Sequence, residues 1–129
     1  MVTRYGIDCT DVTGFGLLGA IWNLIIRQRI DVVLVLDSVP PFSRELLAIP
    51  VDCWTDQNFA SFGDKVEGAE AIDSLQRNLL FSSQVCGPFL VIVKESDLGD
   101  VLRALDMADF REAAVIGKCR PGCGGVYLE

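Results

Sequence analysis

Residues 15–26 constrain the fold of this chain more than any other segment. Asn23 is the only strongly polar residue among them, and the segment is shorter than the ~20 residues that a membrane-spanning helix needs. Its apolar spacing predicts a helix that starts near Thr13 or Gly14, ends at about Gln28 and is apolar on nearly every side. Such a helix has to be covered by other elements over most of its surface. The side chains predicted to face the core are Phe15, Leu18, Trp22 and Ile25, with Leu17, Ile21 and Leu24 beside them.

The remaining sequence supplies the elements that would cover this helix. Short runs rich in β-branched and apolar residues predict strands, which we place at residues 31–36, 89–93, 113–116 and 126–128. Helical periodicity predicts three further helices, at residues 43–49, 69–80 and 96–105, the last capped by Ser96. Residues 50–68 show no clean period and predict a long surface loop. We therefore expect residues 1–129 to form a single layered α+β domain of about four strands and four helices.

Charge and cysteine content narrow the classes of function. The chain has 18 acidic and 11 basic residues, a net charge of −7 and no histidine. This balance argues against nucleic-acid or anionic-membrane partners, and the lack of imidazole excludes catalytic groups built on histidine. The odd number of scattered cysteines, five in all, is typical of a reduced cytoplasmic protein. Cys119 and Cys123 are closely spaced in the sequence. A zinc site of four thiolates usually has two such closely spaced pairs, so this single pair argues against zinc.

A glycine pattern opens the predicted first helix. Gly14, Gly16 and Gly19 match Gly-x-Gly-x-x-Gly, and Asp37 follows at the distance of a ribose ligand in a dinucleotide-binding unit. The residues before the pattern are polar and acidic, unlike the apolar first strand of that fold. The dinucleotide interpretation is therefore the weaker one.

Asp11, which precedes the glycine pattern, favours a different interpretation of the region, as a site for a metal ion and a phosphate. A carboxylate beside a helix N-terminus, with the hydroxyls of Thr10 and Thr13 nearby, suits Mg²⁺ that bridges to a phosphate. The alternative is structural, in which Asp11 caps the helix and the glycines permit close packing. The residues alone leave both open.

Several segments resemble a known family. Residues 9–19 read Cys-Thr-Asp-Val-Thr-Gly-Phe-Gly-Leu-Leu-Gly, and this string resembles the motif that opens the C-terminal domain of selenophosphate synthetase (selenide, water dikinase). That family belongs to the aminoimidazole ribonucleotide synthetase-like superfamily. Residues 79–91 resemble the family's second motif, residues 113–117 and 124–126 its closing strands, and Asn58 an asparagine of its central loop.

The resemblance implies an α+β domain that covers ATP. Asp11 would be the Mg²⁺ ligand, and Thr10, Thr13, Gly14 and Gly16 would lie near the nucleotide phosphates. The implied reaction converts ATP, selenide and water into selenophosphate, AMP and phosphate. The catalytic nucleophile would belong to an N-terminal catalytic domain or subunit that is absent before Met1, so no catalytic residue is expected here. The chain would be inactive alone, and a homodimer is compatible with the family.

The sequence also departs from the family pattern. Ala20 replaces the histidine that follows the first motif. The second motif differs at Ser82, Ser83, Val85, Cys86 and Pro88, where the family has Asp, Pro, Thr, Ser and Gly. A stand-alone module that binds a nucleotide or a protein without catalysis is the alternative function.

Overall fold

A computed structural model describes residues 6–26, 28–41, 53–85 and 87–129. Within these ranges the chain forms six strands and four α-helices. The strands are β1 (Gly6–Asp11), β2 (Ile30–Leu34), β3 (Val66–Glu67), β4 (Phe89–Val93), β5 (Gly117–Pro121) and β6 (Val126–Leu128). The helices are α1 (Gly16–Ile25), α2 (Cys53–Phe62), α3 (Ser74–Phe81) and α4 (Leu98–Met107). The α+β class is confirmed.

The strands form two sheets. β1 and β4 pair antiparallel as a two-stranded ribbon. The other sheet has the order β3-β6-β2-β5, in which β6 runs parallel to β2 and β3 while β5 runs antiparallel to β2. β2 therefore lies inside the sheet, as its run of β-branched residues predicts.

Helix α1 connects these layers. It contacts β1 and β2, which lie in different sheets, and also α2 and α3. Its core residues Leu18, Ile21 and Ile25 are each at most 2% exposed. The prediction that this helix must be covered on most sides is confirmed. Phe15, predicted to face inward, is instead 60% exposed because it precedes the first helical residue.

The predicted surface loop at residues 50–68 is wrong for the part that the structure describes, since α2 occupies residues 53–62. The inward positions of α2 are Thr55, Asn58, Phe59 and Phe62, which have the spacing of a helix face. Two of these four residues are polar, so the apolar periodicity is hidden. The predicted helix at residues 43–49 lies outside the described residues.

Other predicted elements also differ from the observed ones. The helix predicted at residues 69–80 starts at Ser74, because Asp73 and Gln76 form a reciprocal capping box there. The predicted cap Ser96 bonds instead to the Asp97 carboxylate, and α4 begins at Leu98. The strand predicted at residues 113–116 is wrong. The chain is irregular there, and β5 follows at residues 117–121.

Three strands were not predicted, namely β1, the two-residue β3 and β5. β1 is polar because it lies in a ribbon where residues 8, 9 and 11 are exposed. β5 occupies a sheet edge, and its polar residues lack the apolar run that predicts a strand. Within the described ranges, no helix combines the length and the apolar character needed to cross a bilayer.

Candidate functional site

Asp11 is the last residue of β1, and its side chain is exposed. Its register partner across the ribbon is Phe89, the first residue of β4. The next residue, Val12, is 3% exposed, and its N–H donates to the carbonyl of Pro88 at 2.9 Å. The ribbon therefore holds the Asp11 carboxylate at the surface, just before the chain turns into the core.

A tight turn connects β1 to α1. The Thr13 carbonyl accepts the N–H groups of Gly16 and Gln84, each at 3.0 Å. Gly16 has a φ of +70°, and a Cβ atom there would lie 2.8 Å from the backbone carbon of Phe81. Glycine is required at this position for both its conformation and its close packing. Gly14, by contrast, is exposed.

The N-terminus of α1 has no side-chain cap, and the N–H of its first residue, Gly16, donates to Thr13. Phe15 occupies the N-cap position, its side chain makes no capping hydrogen bond, and the first turn contains no acidic residue. Asp11 lies in β1, so the interpretation in which it caps the helix is wrong. The uncapped N–H groups carry the partial positive charge of a helix N-terminus, which favours an anion.

The second motif lies directly against this turn. Gln84 donates its backbone N–H to Thr13, and Pro88 accepts the N–H of Val12. A Cβ atom at Gly87 would overlap the Val12 carbonyl, so the two segments approach as closely as glycine allows. The two motifs of the family resemblance, residues 9–19 and 79–91, therefore meet at one place, although Cys86 itself lies outside the described residues.

Asn58 connects the two segments from α2. Its amide Nδ2 donates to the carbonyls of Gly14 and Phe81, each at 2.9 Å. The residue is 5% exposed. The sequence singled it out only by resemblance to an asparagine of the family, and its contacts lie 44 and 23 residues away along the chain.

The donors present fit part of a magnesium site. Asp11 offers one carboxylate, and the half-buried Thr10 and Thr13 are next to it in the chain. Mg²⁺ usually takes one or two carboxylates and completes its shell with waters and phosphate oxygens. Across the described ranges, no three His, Cys, Asp or Glu side chains come close enough to hold a metal ion. Water, phosphate oxygens of the ligand or another polypeptide would fill the rest of a magnesium shell.

The dinucleotide interpretation fails on topology. In that fold the first two strands are parallel neighbours in one sheet, and the nucleotide lies across their ends. Here β1 and β2 belong to different sheets. Asp37 lies in a short 3-10 turn, at residues 36–38, that follows β2.

The cysteines differ from what their residue type suggests. Free cysteine is usually a small buried apolar residue, yet the four described cysteines are exposed, namely Cys9, Cys53, Cys119 and Cys123. Lys94 is exposed, and the exposed Lys65 places its ammonium over the rings of Trp22 and Phe62 at 5.7 and 5.6 Å.

Three exposed apolar side chains belong to the two motif segments that meet at the turn. Phe15 is 60%, Phe89 75% and Val85 99% exposed. We call these three residues the apolar rim. No sequence signal marked it, because an apolar residue at the start of a strand or helix normally indicates core. Exposed apolar surface of this kind is typical of an interface.

The fold and the site define an α+β domain in which a glycine turn leads into a buried helix. Residues 8–128 match the family of the AIR synthase related protein, C-terminal domain, and the chain belongs to this family. The resemblance to the C-terminal domain of selenophosphate synthetase is confirmed by its relatives. The selenide, water dikinase of Pseudomonas straminea is 31% identical over 122 residues, which cover 92% of this chain and 34% of the relative.

Two other relatives carry the same name. The selenide, water dikinase of Sulfurovum sp. (strain NBC37-1) is 37% identical over 97 residues, covering 71% of this chain and 27% of the relative. That of Aliarcobacter butzleri (strain RM4018) is 28% identical over 128 residues, covering 94% and 36%. The chain spans about a third of the length of the curated relatives it matches. It therefore corresponds to one domain of such a protein.

Proposed function

We propose that this chain is the ATP-covering domain of a selenide, water dikinase-like protein. The observation that carries the proposal is the position of Asp11, exposed at the end of β1 and directly before the turn into the uncapped N-terminus of α1. A carboxylate and a helix N-terminus side by side attract a cation and an anion respectively, and magnesium-bound phosphate supplies both. The reaction is the one that the family resemblance implies, from ATP, selenide and water to selenophosphate, AMP and phosphate.

Each site residue has a separate role in this proposal. Asp11 binds Mg²⁺, which neutralises phosphate charge when bound. Gly14 leaves the exposed part of the turn free of a side chain, so that a phosphate can approach the backbone, and Gly16 lets the turn pack against the Phe81 backbone beside it. Thr10 and Thr13 place hydroxyl groups beside the same region. No residue of this chain is assigned as nucleophile or proton carrier.

The rest of the site belongs to a partner. Asp11 is the one carboxylate assigned to Mg²⁺ among the described residues, and the exposed side chains of the apolar rim belong to the same two segments. We infer that an N-terminal catalytic domain or subunit covers the rim and supplies the nucleophile and the remaining metal ligands. The assembled protein would act in the cytoplasm, and a homodimer is compatible with this arrangement.

A chimera tests the whole proposal. The chain would replace the matching third of the Pseudomonas straminea relative, and AMP formation from ATP would be measured with and without selenide. We expect selenide-dependent AMP formation that Asp11→Asn lowers by about 100-fold. Asp8→Asn removes the same charge from the same strand and should leave the rate unchanged. A folded chimera without selenide-dependent turnover would contradict the proposal.

One observation favours the alternative, a binding module without catalysis. The segment from Ser82 to Pro88 differs from the family pattern at five positions, yet it still packs closely against the turn. A module of this kind would bind magnesium-ATP through Asp11 but produce no AMP in the chimera.

A further inference from the structure

We propose that Asn58 is a positioning residue for the turn between β1 and α1, because it fixes the direction of the peptide between Gly14 and Phe15. The inference deepens the proposed function and, where it concerns nucleotide affinity, rests on it. Asn58 is placed away from the ligand, behind the turn, and acts through the backbone.

The hydrogen bonds of Asn58 join three elements. Its Nδ2 bonds the Gly14 carbonyl in the turn and the Phe81 carbonyl at the end of α3, both at 2.9 Å. Next to it on α2, Phe59 packs edge-on against the ring of Phe81, with 5.1 Å between centroids. α2 is therefore held against α3, and the amide has little freedom to move.

The geometry of the peptide between Gly14 and Phe15 links Asn58 to the N-terminus of α1. The described peptide bonds are all trans, and in a trans peptide the C=O and N–H point in opposite directions. With the Gly14 carbonyl directed at α2, the N–H of Phe15 is directed away from α2. This N–H belongs to the uncapped end of α1, where an anion would bind. Asn58 therefore determines which way a phosphate-binding donor points.

The chemistry of the side chain is specific. Two carbonyl oxygens need two donors, and the amide group of asparagine carries two N–H hydrogens on one atom. A carboxylate of the same shape would direct a negative oxygen at both carbonyls. Because Asn58 is only 5% exposed, water would not compensate for the lost bonds.

The test uses three variants of the chain. Asn58→Asp keeps the shape and removes both donors, while Asn58→Ala removes the side chain. Ser61→Ala is the matched control, since Ser61 is an exposed residue of the same helix whose hydroxyl donates to the Gln57 carbonyl within that helix. Two quantities are measured, the dissociation constant for magnesium-ATP by calorimetry and the exchange rates of the Gly16 and Gln84 amides, which both donate to Thr13.

At about pH 8 we expect both Asn58 variants to bind magnesium-ATP about ten-fold more weakly and to exchange these two amides about ten-fold faster. The carboxyl group that Asn58→Asp introduces would be buried beside two carbonyls, which raises its pKa. At about pH 5.5 its protonated form donates one O–H, so Asn58→Asp should recover part of the wild-type exchange protection. Asn58→Ala should show no such recovery, and Ser61→Ala should match wild type throughout.

Two results would overturn the inference. One concerns the exchange rates of the Gly16 and Gln84 amides in the Asn58 variants. These rates would either equal those of wild type or rise by the same factor as those of the slowest-exchanging amides, which would indicate general destabilisation only. The other is wild-type affinity for magnesium-ATP in both Asn58 variants at about pH 8. If the wild-type chain binds no magnesium-ATP, the proposed function fails for the isolated chain, and the exchange rates still decide the role of Asn58.

Discussion

Asp11 and Phe89 lie opposite each other where the β1–β4 ribbon ends, and both side chains are exposed. A charged group and a large apolar group side by side at the surface are expected where a polar site is enclosed by an interface. This relationship links the proposed metal ligand to the surface that a partner would cover.

The first prediction concerns the apolar rim. Phe89→Ser should change the free energy of unfolding by no more than about 0.5 kcal/mol, because the side chain is already 75% exposed. In the chimera it should lower turnover by about ten-fold, since exposed aromatic side chains contribute strongly to interfaces. Met107→Ser is the control, at an 83% exposed residue of α4 outside the rim. Equal turnover for the two variants would show that the rim is not an interface.

The second prediction concerns the glycine at the start of α1. Gly16→Ala should lower the free energy of unfolding by about 2 kcal/mol or more, because alanine would be strained at φ +70° and would press against the Phe81 backbone. Gly99→Ala should instead raise the free energy of unfolding. Gly99 lies in α4 with no atom within 4 Å of a built Cβ, so alanine should stabilise the helix by up to about 1 kcal/mol. Urea unfolding of both variants measures the contrast.

The third prediction concerns the start of α3. Asp73→Ala removes a side chain that accepts the N–H of Gln76 at 2.8 Å. Asp73→Ala should therefore lower the free energy of unfolding by about 1 kcal/mol. Ser96→Ala should cost almost nothing, since Ser96 does not cap α4. Thermal unfolding would compare the stability of the two variants. A Ser96→Ala variant as unstable as Asp73→Ala would contradict the capping assignment.

The fourth prediction concerns acid stability. Asp31 accepts the N–H of Gly125 at 2.8 Å, and with smaller contributions those of Cys123 and Gly124, so its pKa lies below the usual value for aspartate. A lowered folded-state pKa stabilises the protein above the unfolded pKa of about 3.9, and this contribution disappears as the pH falls through the folded pKa.

Asp31→Asn should therefore lower the free energy of unfolding at about pH 6, and the gap to wild type should shrink below about pH 4. Asp64→Asn, at an exposed residue, changes the net charge equally and serves as control. Urea titrations across this range check the sign. A gap that stays constant or widens at about pH 3 would contradict it.

The sequence predicted the elements whose periodicity is apolar. Helix α1 and strands β2, β4 and β6 were found at or near their observed positions, because burial requires apolar residues at regular spacing. α2 was missed because Thr55 and Asn58 occupy inward positions, and β1 because the ribbon exposes much of its surface.

The site was predictable in composition but not in geometry. The motif of residues 9–19 identified Asp11 and the glycine turn, whereas the bonds from Asn58 to Gly14 and Phe81 join residues distant in sequence. Long-range contacts of this kind depend on how α2 packs, and that helix had no apolar signal. The apolar rim was missed for the converse reason, since nothing in a sequence marks an apolar residue as exposed.

The central claim is that Asp11 binds the metal of magnesium-ATP in this domain. Calorimetric titration of the chain with magnesium-ATP, beside Asp11→Asn and Asp8→Asn, tests it most directly. We predict saturable, magnesium-dependent binding that Asp11→Asn weakens by at least about ten-fold and Asp8→Asn leaves unchanged. Equal affinity for wild type and Asp11→Asn would contradict it, and if none of the three isolated chains binds, the same comparison is made in the chimera.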